Sequence, residues 1–383
     1  MKLRTYKGDY FPLRNNDDSL THVWTGTSSF KNFLKPASLS LFVKNNKAVF
    51  WRSQYNYFDT IRRFDFRLVR PYFDNPPLAM LLIGLPSYIF GFRDFIQIPQ
   101  ILVRIPALIA SIFSLYFTYI LAKKLFNKKL AFLSLLVYGL TPIYVFSHRF
   151  SVLENFLTPL FLLSLIILKD YLKNSSRLRL FFLLLISFTA GWIKIVGFGL
   201  SFILAFWFLK NKKIKELLLT ILTALLSFSL YLLYGFLINW PQFKFTFLTQ
   251  TGRGIYLTSF VHILSRPEFY EPFTDGWYVL GFVMVLFIVI KGLKNTNMEF
   301  FSFSFLFWLT LIILTAGTEN NFPWYRYPLF PFLSIATAYY LKELLKKPNI
   351  LLVFPLLLFS FTSIDLLQIS FNSLFLRGFY LFL

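Results

Sequence analysis

The sequence predicts an all-α, polytopic membrane protein, and three observations carry that expectation. Hydrophobic residues make up 56% of the 383 positions and charged residues 15%, a balance that leaves too few polar groups to cover a water-soluble surface. Apolar runs of spanning length recur along the chain from about residue 101. Lysine and arginine concentrate in every second connecting loop, the pattern that orients membrane helices.

Ten runs approach the roughly 20 apolar residues that a spanning helix needs. They lie at about 103–122, 130–147, 153–168, 180–194, 196–210, 216–239, 277–291, 299–316, 327–342 and 350–367. The pair at 180–210 reads either as a helical hairpin or as one long segment broken around "KIVGFG". The loops "KKLFNKK", "KDYLKNSSRLR", "KNKKIK", "KGLK" and "KELLKK" hold 17 basic residues. The opposite loops hold Arg149, Lys194, Lys244, Arg253, Arg266 and Arg326. The positive-inside rule places the first set in the cytoplasm and the second outside, in the plasma membrane of the cell envelope.

Residues 1–77 are polar and aromatic with no spanning run. "NPPLAMLLIGLPSYIFGF" (75–92) follows, apolar yet short and interrupted by Pro86; alone, it fits either a short span or an interfacial helix. A span at 78–92 would put residues 1–77 in the cytoplasm, which their excess of basic residues favours, and a surface helix would put them outside. A transmembrane domain at 101–367 with an outer loop at 240–276 follows, then a short extracytoplasmic tail at 368–383.

Composition excludes several chemistries. Cysteine is absent, and the three histidines, His22, His148 and His262, are scattered, so the sequence supplies neither thiolate chemistry nor a metal-ligand cluster. No cofactor is required, although clustered carboxylates could hold a divalent cation. The formal net charge of +22 would suggest nucleic acid in a soluble protein; here the basic residues belong to membrane-flanking loops.

The informative charges fall on the outer side. Glu154 in "SHRFSVLENF" stands where an apolar helix begins, and an ionisable group at membrane depth marks a functional site by default. Its plain alternative is a helix-start carboxylate stabilised by the helix dipole and by Arg149. "RNNDDSLTHVWTG" places Asp17 and Asp18 before a short helix, where an N-cap is the competing explanation. Asp74 and Asn75 in "RPYFDNPP" suit a turn equally well. Arg326 in "PWYRYP", Arg253 in "QTGRGIY" and Lys194 could each meet a phosphate at the membrane surface or simply anchor a helix end.

The order of these pieces resembles the GT-C glycosyltransferases that use polyprenyl-phosphate sugars, the superfamily of protein O-mannosyltransferases and lipid A aminoarabinose transferases. That family shows an acidic pair, a "YF-[DE]-x-P" element with a juxtamembrane helix, an Arg-led membrane helix with a basic turn, and a second acidic residue after the next helix. The similar stretches here are "NNDDSLTHVWTG", "YFDNPPLAMLLIGLPSYIFG", "VRIPALIASIFSLYFTYILAKKLFNKK" and "YGLTPIYVFSHRFSVLENF". Near the C-terminus, "ENNFPWYRYPLFPFLSIATAYYL" is similar to the family's Arg-Tyr-led helix.

The resemblance implies a GT-C fold, a first extracytoplasmic loop at 1–100 with juxtamembrane helices, and sugar transfer from a polyprenyl-phosphate donor to a hydroxyl of a glycan, protein or lipid acceptor outside the membrane. It assigns catalysis to Asp17, Asp18 and Glu154, and substrate binding to Asp74, Asn75, Lys194, Arg253 and Arg326. Membrane lipids are expected partners, nucleic acid is not. Three departures stand out. The family's first membrane helix has no counterpart before the acidic pair, Asp18 replaces the usual Glu of the protein mannosyltransferases, and Asn75 replaces the Lys of the aminoarabinose transferases. A transporter or flippase, or a GT-C-like scaffold without catalysis, are the competing readings. Transporters show internal repeats and paired midplane charges, and neither is visible.

Overall fold

The computed structural model describes residues 73, 75–92, 98–148, 150–251, 275–292, 295–315, 323–350 and 353–364, together with the backbone of 11–12, 41–44 and 47–50. Three short strands open the chain: β1 (Phe11–Pro12), β2 (Leu41–Lys44) and β3 (Lys47–Phe50). They form an antiparallel sheet in the order β1-β3-β2, with Phe11 opposite Ala48 and Leu41 opposite Phe50.

The remaining elements are helical. Helix α1 (Pro77–Ile89) starts with two prolines, Pro76 at the N-cap and Pro77 at the first helical position, where no N–H is missed. It stops at Gly91, whose φ of 82° is open to glycine. Its 13 residues reach about 20 Å, well short of the roughly 30 Å hydrocarbon core. Ala79 and Ser87 are buried, while Leu81, Leu85, Tyr88 and Ile89 are exposed.

Helices α2 (Gln100–Leu125), α3 (Lys128–Leu140), α4 (Pro142–Ser147), α5 (Glu154–Lys173) and α6 (Arg177–Ile193) follow. The expected run at 130–147 is thus two helices, divided at Thr141 because Pro142 can begin a helix but not continue one. A 3-10 turn, Ile195–Phe198, joins α6 to α7 (Gly199–Lys210). The Ser187 and Ser201 hydroxyls, on either side of that turn, bond at 2.6 Å. The 180–210 region is therefore a hairpin.

Helix α8 (Ile214–Thr251) bends at Asn239, whose φ of −166° and ψ of 88° are non-helical. Past the bend, Phe243 lies against Gly235 so closely that a Cβ there would sit 2.2 Å from the ring. Helices α9 (Gly276–Gly292), α10 (Thr296–Thr315), α11 (Phe330–Lys346) and α12 (Val353–Ile364) complete the domain, with a 3-10 segment, Pro323–Leu329, leading into α11. Every expected span has a helical counterpart among the described residues. Among the described residues four helices, at Ile101–Leu125, Glu154–Lys173, Ile214–Pro241 and Thr296–Thr315, are long and apolar enough to cross a membrane.

Burial separates centre from periphery. Every residue from Phe330 to Ala338 in α11 is buried, and Phe332 meets the rings of Phe161, Phe301 and Phe305. In α5, 67% of the spanning window is buried against 17% in α8, so α8 faces lipid and α5 faces protein. Buried hydroxyls close onto their own helices: Ser114, Thr118, Ser134, Thr158, Ser304 and Ser334 each donate to the carbonyl four residues back. That bond lets small polar side chains lie inside an apolar bundle.

The two loop sets gather at opposite ends. At one end Lys124 bonds Asp170 at 2.6 Å, Lys210 pairs with Glu299, and Asn297 reaches the Leu125 carbonyl at 3.0 Å. Among the described residues, the segments around Ser147, Lys194 and Tyr325 from the loops poor in basic residues meet at the other.

Candidate active site at the helix ends away from the basic loops

The site is built where α5 and α6 end on the side away from the basic loops. Leu153 is the N-cap residue of α5 and has helical backbone angles, with no side-chain cap bond. Glu154 therefore enters the first turn, where the helix dipole favours negative charge. At the other end of the pair, Lys194 caps α6 in an extended conformation (φ −155°, ψ 144°) before the chain tightens into the 3-10 turn. Gly197 permits that turn: a Cβ there would lie 2.0 Å from the Ala190 carbonyl oxygen.

These two breaks bring Lys194 Nζ onto Glu154 Oε1 in an ion pair. Both side chains are almost fully withdrawn from solvent, at 9% and 3% exposure, so each charge depends on the other. Lys194 Nζ also stands 3.8 Å from the centre of the Tyr325 ring, a cation–π contact. Arg326 is next in sequence and 1% exposed.

The second carboxylate oxygen, Glu154 Oε2, is buried and has no hydrogen-bond partner among the described residues; neither has Trp308 Nε1. Both side chains line one small cavity of about 10 Å³ together with Val196, Thr315 and Tyr325. Such a space holds about one water-sized group.

An aromatic cluster carries the N-terminal element to the same end. Phe73 meets Tyr234 at 5.8 Å and Phe243 at 5.3 Å, both edge to face. Trp192, two residues before Lys194, contacts Tyr231 and Tyr234. Asn75 follows Phe73 by two positions and is half-buried. The fold-back of α8 at Asn239 supplies Phe243, so the bend helps seat Phe73.

Of the residues singled out by sequence, the structure joins Glu154 to Lys194 and places Arg326 beside their aromatic partner. Asp17, Asp18, Asp74 and Arg253 lie outside the described residues, as does Arg149. Among the described residues no group of three or more His, Cys, Asp or Glu could hold a metal ion. Sequence reasoning missed Tyr325, which reads as an ordinary interfacial aromatic, and Trp308, which reads as core. It also passed over His148, whose ring joins several elements of the site.

Asp275 is structural. Its carboxylate is fully buried and accepts from Ile143 N at 3.0 Å, Trp277 N at 3.0 Å and Ser363 Oγ at 2.5 Å. It caps the starts of α4 and α9 and holds α12. Burial nevertheless raises its pKa, against the pull of those donors.

Comparison with known proteins places this geometry in a family context. Residues 74–234, which include Asp74, Asn75, Glu154 and Lys194, match the family model of the dolichyl-phosphate-mannose-protein mannosyltransferases. ArnT from Cupriavidus metallidurans in the apo state superposes with a TM-score of 0.53 at 14% identity, over 70% of this chain and 49% of that one. The helical domain has the GT-C fold. The ArnT structure bound to undecaprenyl phosphate superposes with a TM-score of 0.52 at 15% identity, over 70% of this chain and 50% of that one. Archaeal oligosaccharyltransferase AglB from Archaeoglobus fulgidus matches at 14% identity with a TM-score of 0.47, over 77% of this chain and 47% of that one. The chain thus spans about half the length of the solved GT-C structures it matches. Curated protein sequences gave no significant match.

Proposed function

We propose that this chain is a membrane glycosyltransferase that moves a sugar from a polyprenyl-phosphate-linked donor to an acceptor hydroxyl on the extracytoplasmic side of the plasma membrane. The observation that carries the reading is the buried Glu154–Lys194 pair against Tyr325 and Arg326, set within a stretch that matches the mannosyltransferase family model. The GT-C fold and the undecaprenyl phosphate bound by the matched ArnT support the lipid-phosphate donor. The basic loops at the far end support the outer location of the site.

The chemistry asked of the site is modest. The bond between the sugar's anomeric carbon and the phosphate oxygen breaks, and its electron pair leaves with the lipid phosphate. The acceptor oxygen forms the new bond and gives its proton to a carboxylate. Developing charge on the departing phosphate needs fixed cations. Lys194 and Arg326 fill that role, with Arg253 as a further contact. An ammonium has three N–H donors, and Glu154 engages one, so the pair aims Lys194 while leaving it able to meet a phosphate. Asp17, with Asp18, takes the proton, and Asp74 and Asn75 border the substrate.

In this reading the first task of Glu154, whose Oε1 holds the Lys194 ammonium, is to orient Lys194, with Oε2 available to a substrate hydroxyl. The acceptor is a glycan, protein or lipid.

The test is donor turnover in membranes or detergent with a panel of polyprenyl-phosphate sugars. Wild-type chain should release sugar, while Asp17→Asn, Glu154→Gln and Lys194→Met should lose at least about a hundredfold, on the scale of removing one positioned catalytic group. Release that persists in all three variants would sink the assignment.

A further inference from the structure

A buried histidine that the proposed chemistry does not use ties the two halves of the site together. His148 caps α4, is 8% exposed and touches four separate elements. Its Nδ1 lies 2.9 Å from Ser111 Oγ in α2 and 3.0 Å from Asn155 Oδ1 in α5. Its Nε2 lies 2.9 Å from the Tyr138 hydroxyl in α3. Its ring packs edge to face on Tyr327, 5.9 Å between centres, in the 3-10 segment before α11.

The partners settle where the proton sits. Asn155 Nδ2 donates to the Phe150 carbonyl at 2.5 Å, so the oxygen Oδ1, which can only accept, faces the histidine. Nδ1 must then carry the hydrogen. Ser111 already donates its single hydroxyl hydrogen to the Ala107 carbonyl at 2.8 Å, so it too accepts from Nδ1–H. Nε2 is left as an acceptor, and Tyr138 O–H donates to it. One neutral tautomer satisfies every partner. Burial agrees, pushing the imidazole pKa down to about 4.

The two residues that His148 touches on the site side are each one position from a proposed functional group. Asn155 follows Glu154, and Tyr327 follows Arg326. Tyr327 is bound a second time to the same turn, its hydroxyl donating to the Ser147 carbonyl at 2.8 Å. We infer that His148, as its neutral Nδ1–H tautomer, is a positioning residue that fixes the Glu154 and Arg326 segments relative to each other. Its importance for sugar transfer rests on the function proposed above; its structural role does not.

Two measurements test this without any sugar donor. In a His22→Gln/His262→Gln chain labelled with ¹⁵N-histidine, long-range ¹H–¹⁵N spectra at neutral pH should show the remaining imidazole neutral and protonated on Nδ1. An Nε2–H or doubly protonated ring overturns the inference. Hydrogen exchange supplies the second. In His148→Leu, amides of 153–157 and of 325–329 should both exchange about tenfold faster, the equilibrium weight of roughly one lost hydrogen bond. His148→Gln, which offers one donor and one acceptor, should restore both segments. Faster exchange confined to the start of α5 would reduce His148 to a local cap and overturn the proposal. A chain that releases no sugar would defeat the proposed function while leaving both of these results standing.

Discussion

Glu154 and Lys194, forty residues apart in the chain, form an ion pair buried at the ends of adjacent helices. Neither charge is tolerable there alone. Removing one partner of a buried pair strands the other and costs about 3–5 kcal/mol, whereas removing both together is often nearly neutral. Glu154→Gln and Lys194→Met should therefore each lower stability in detergent by that order. The double variant should recover most of the loss, and thermal unfolding of the four chains completes the cycle. Losses that simply add would mean the two side chains do not depend on each other.

The turn after Lys194 offers a second test, through backbone rather than charge. A methyl at residue 197 would sit 2.0 Å from the Ala190 carbonyl oxygen, a contact with main chain that no side-chain rotation relieves. Gly197→Ala should push the 3-10 turn off α6 and draw Lys194 away from Glu154. Stability should fall by about 2 kcal/mol or more, and donor turnover should fall with it. The readout is the unfolding midpoint beside turnover. A variant with both unchanged would show that Lys194 needs no fixed turn.

Asp275 makes a prediction about pH. Its folded pKa is raised above the ordinary Asp value of 3.8 by burial, so the folded chain holds this proton more tightly than the unfolded chain does. Stability from this group is present at low pH and is lost as pH rises from near that ordinary value through the raised one. Asp275→Asn cannot titrate there. The stability of wild type relative to Asp275→Asn should therefore decline as pH is raised above about 4. A difference that grows with pH would mean the three donors, and not burial, set the carboxylate's charge.

The helices are legible because apolar length alone reports them, and which loops share an end because basic loops alternate. The hairpin at 180–210 was only half legible: "KIVGFG" signals a break, but the Ser187–Ser201 bond that closes it is a contact between distant positions. Glu154 stood out as a charge in an apolar run, yet its partner could not be read. Arg149 is near in sequence, and Lys194 is near only once α5 and α6 lie side by side. Tyr325 carries no sequence mark that separates a cation's platform from a membrane-belt ring. His148 carries no such mark either, because the rule that metal sites need clustered histidines is silent about hydrogen-bonded hubs. One missed element was readable: "LFVKNNKAVF" has two β-prone runs separated by Asn45 and Asn46, a hairpin pattern, and β2 and β3 pair across it with Lys44 opposite Lys47.

Arg326 distinguishes charge from geometry. At 1% exposure a guanidinium is held in a fixed plane, and its fork can take two oxygens of one phosphate where an ammonium takes one. Arg326→Lys keeps the charge and loses the fork. If Arg326 holds the donor's phosphate, the substitution should raise KM for the lipid-phosphate sugar about tenfold or more, the weight of one charge-assisted hydrogen bond, while the unfolding midpoint moves little. Arg326→Met should lose the charge as well and lower kcat further, since the leaving phosphate would then lack a cation in the transition state. Equal kinetics for the Lys variant and the wild type would leave Arg326 as a packing residue and hand the phosphate to Lys194 alone. In that case adding free undecaprenyl phosphate should protect wild type and Arg326→Lys against heat equally, and Lys194→Met not at all.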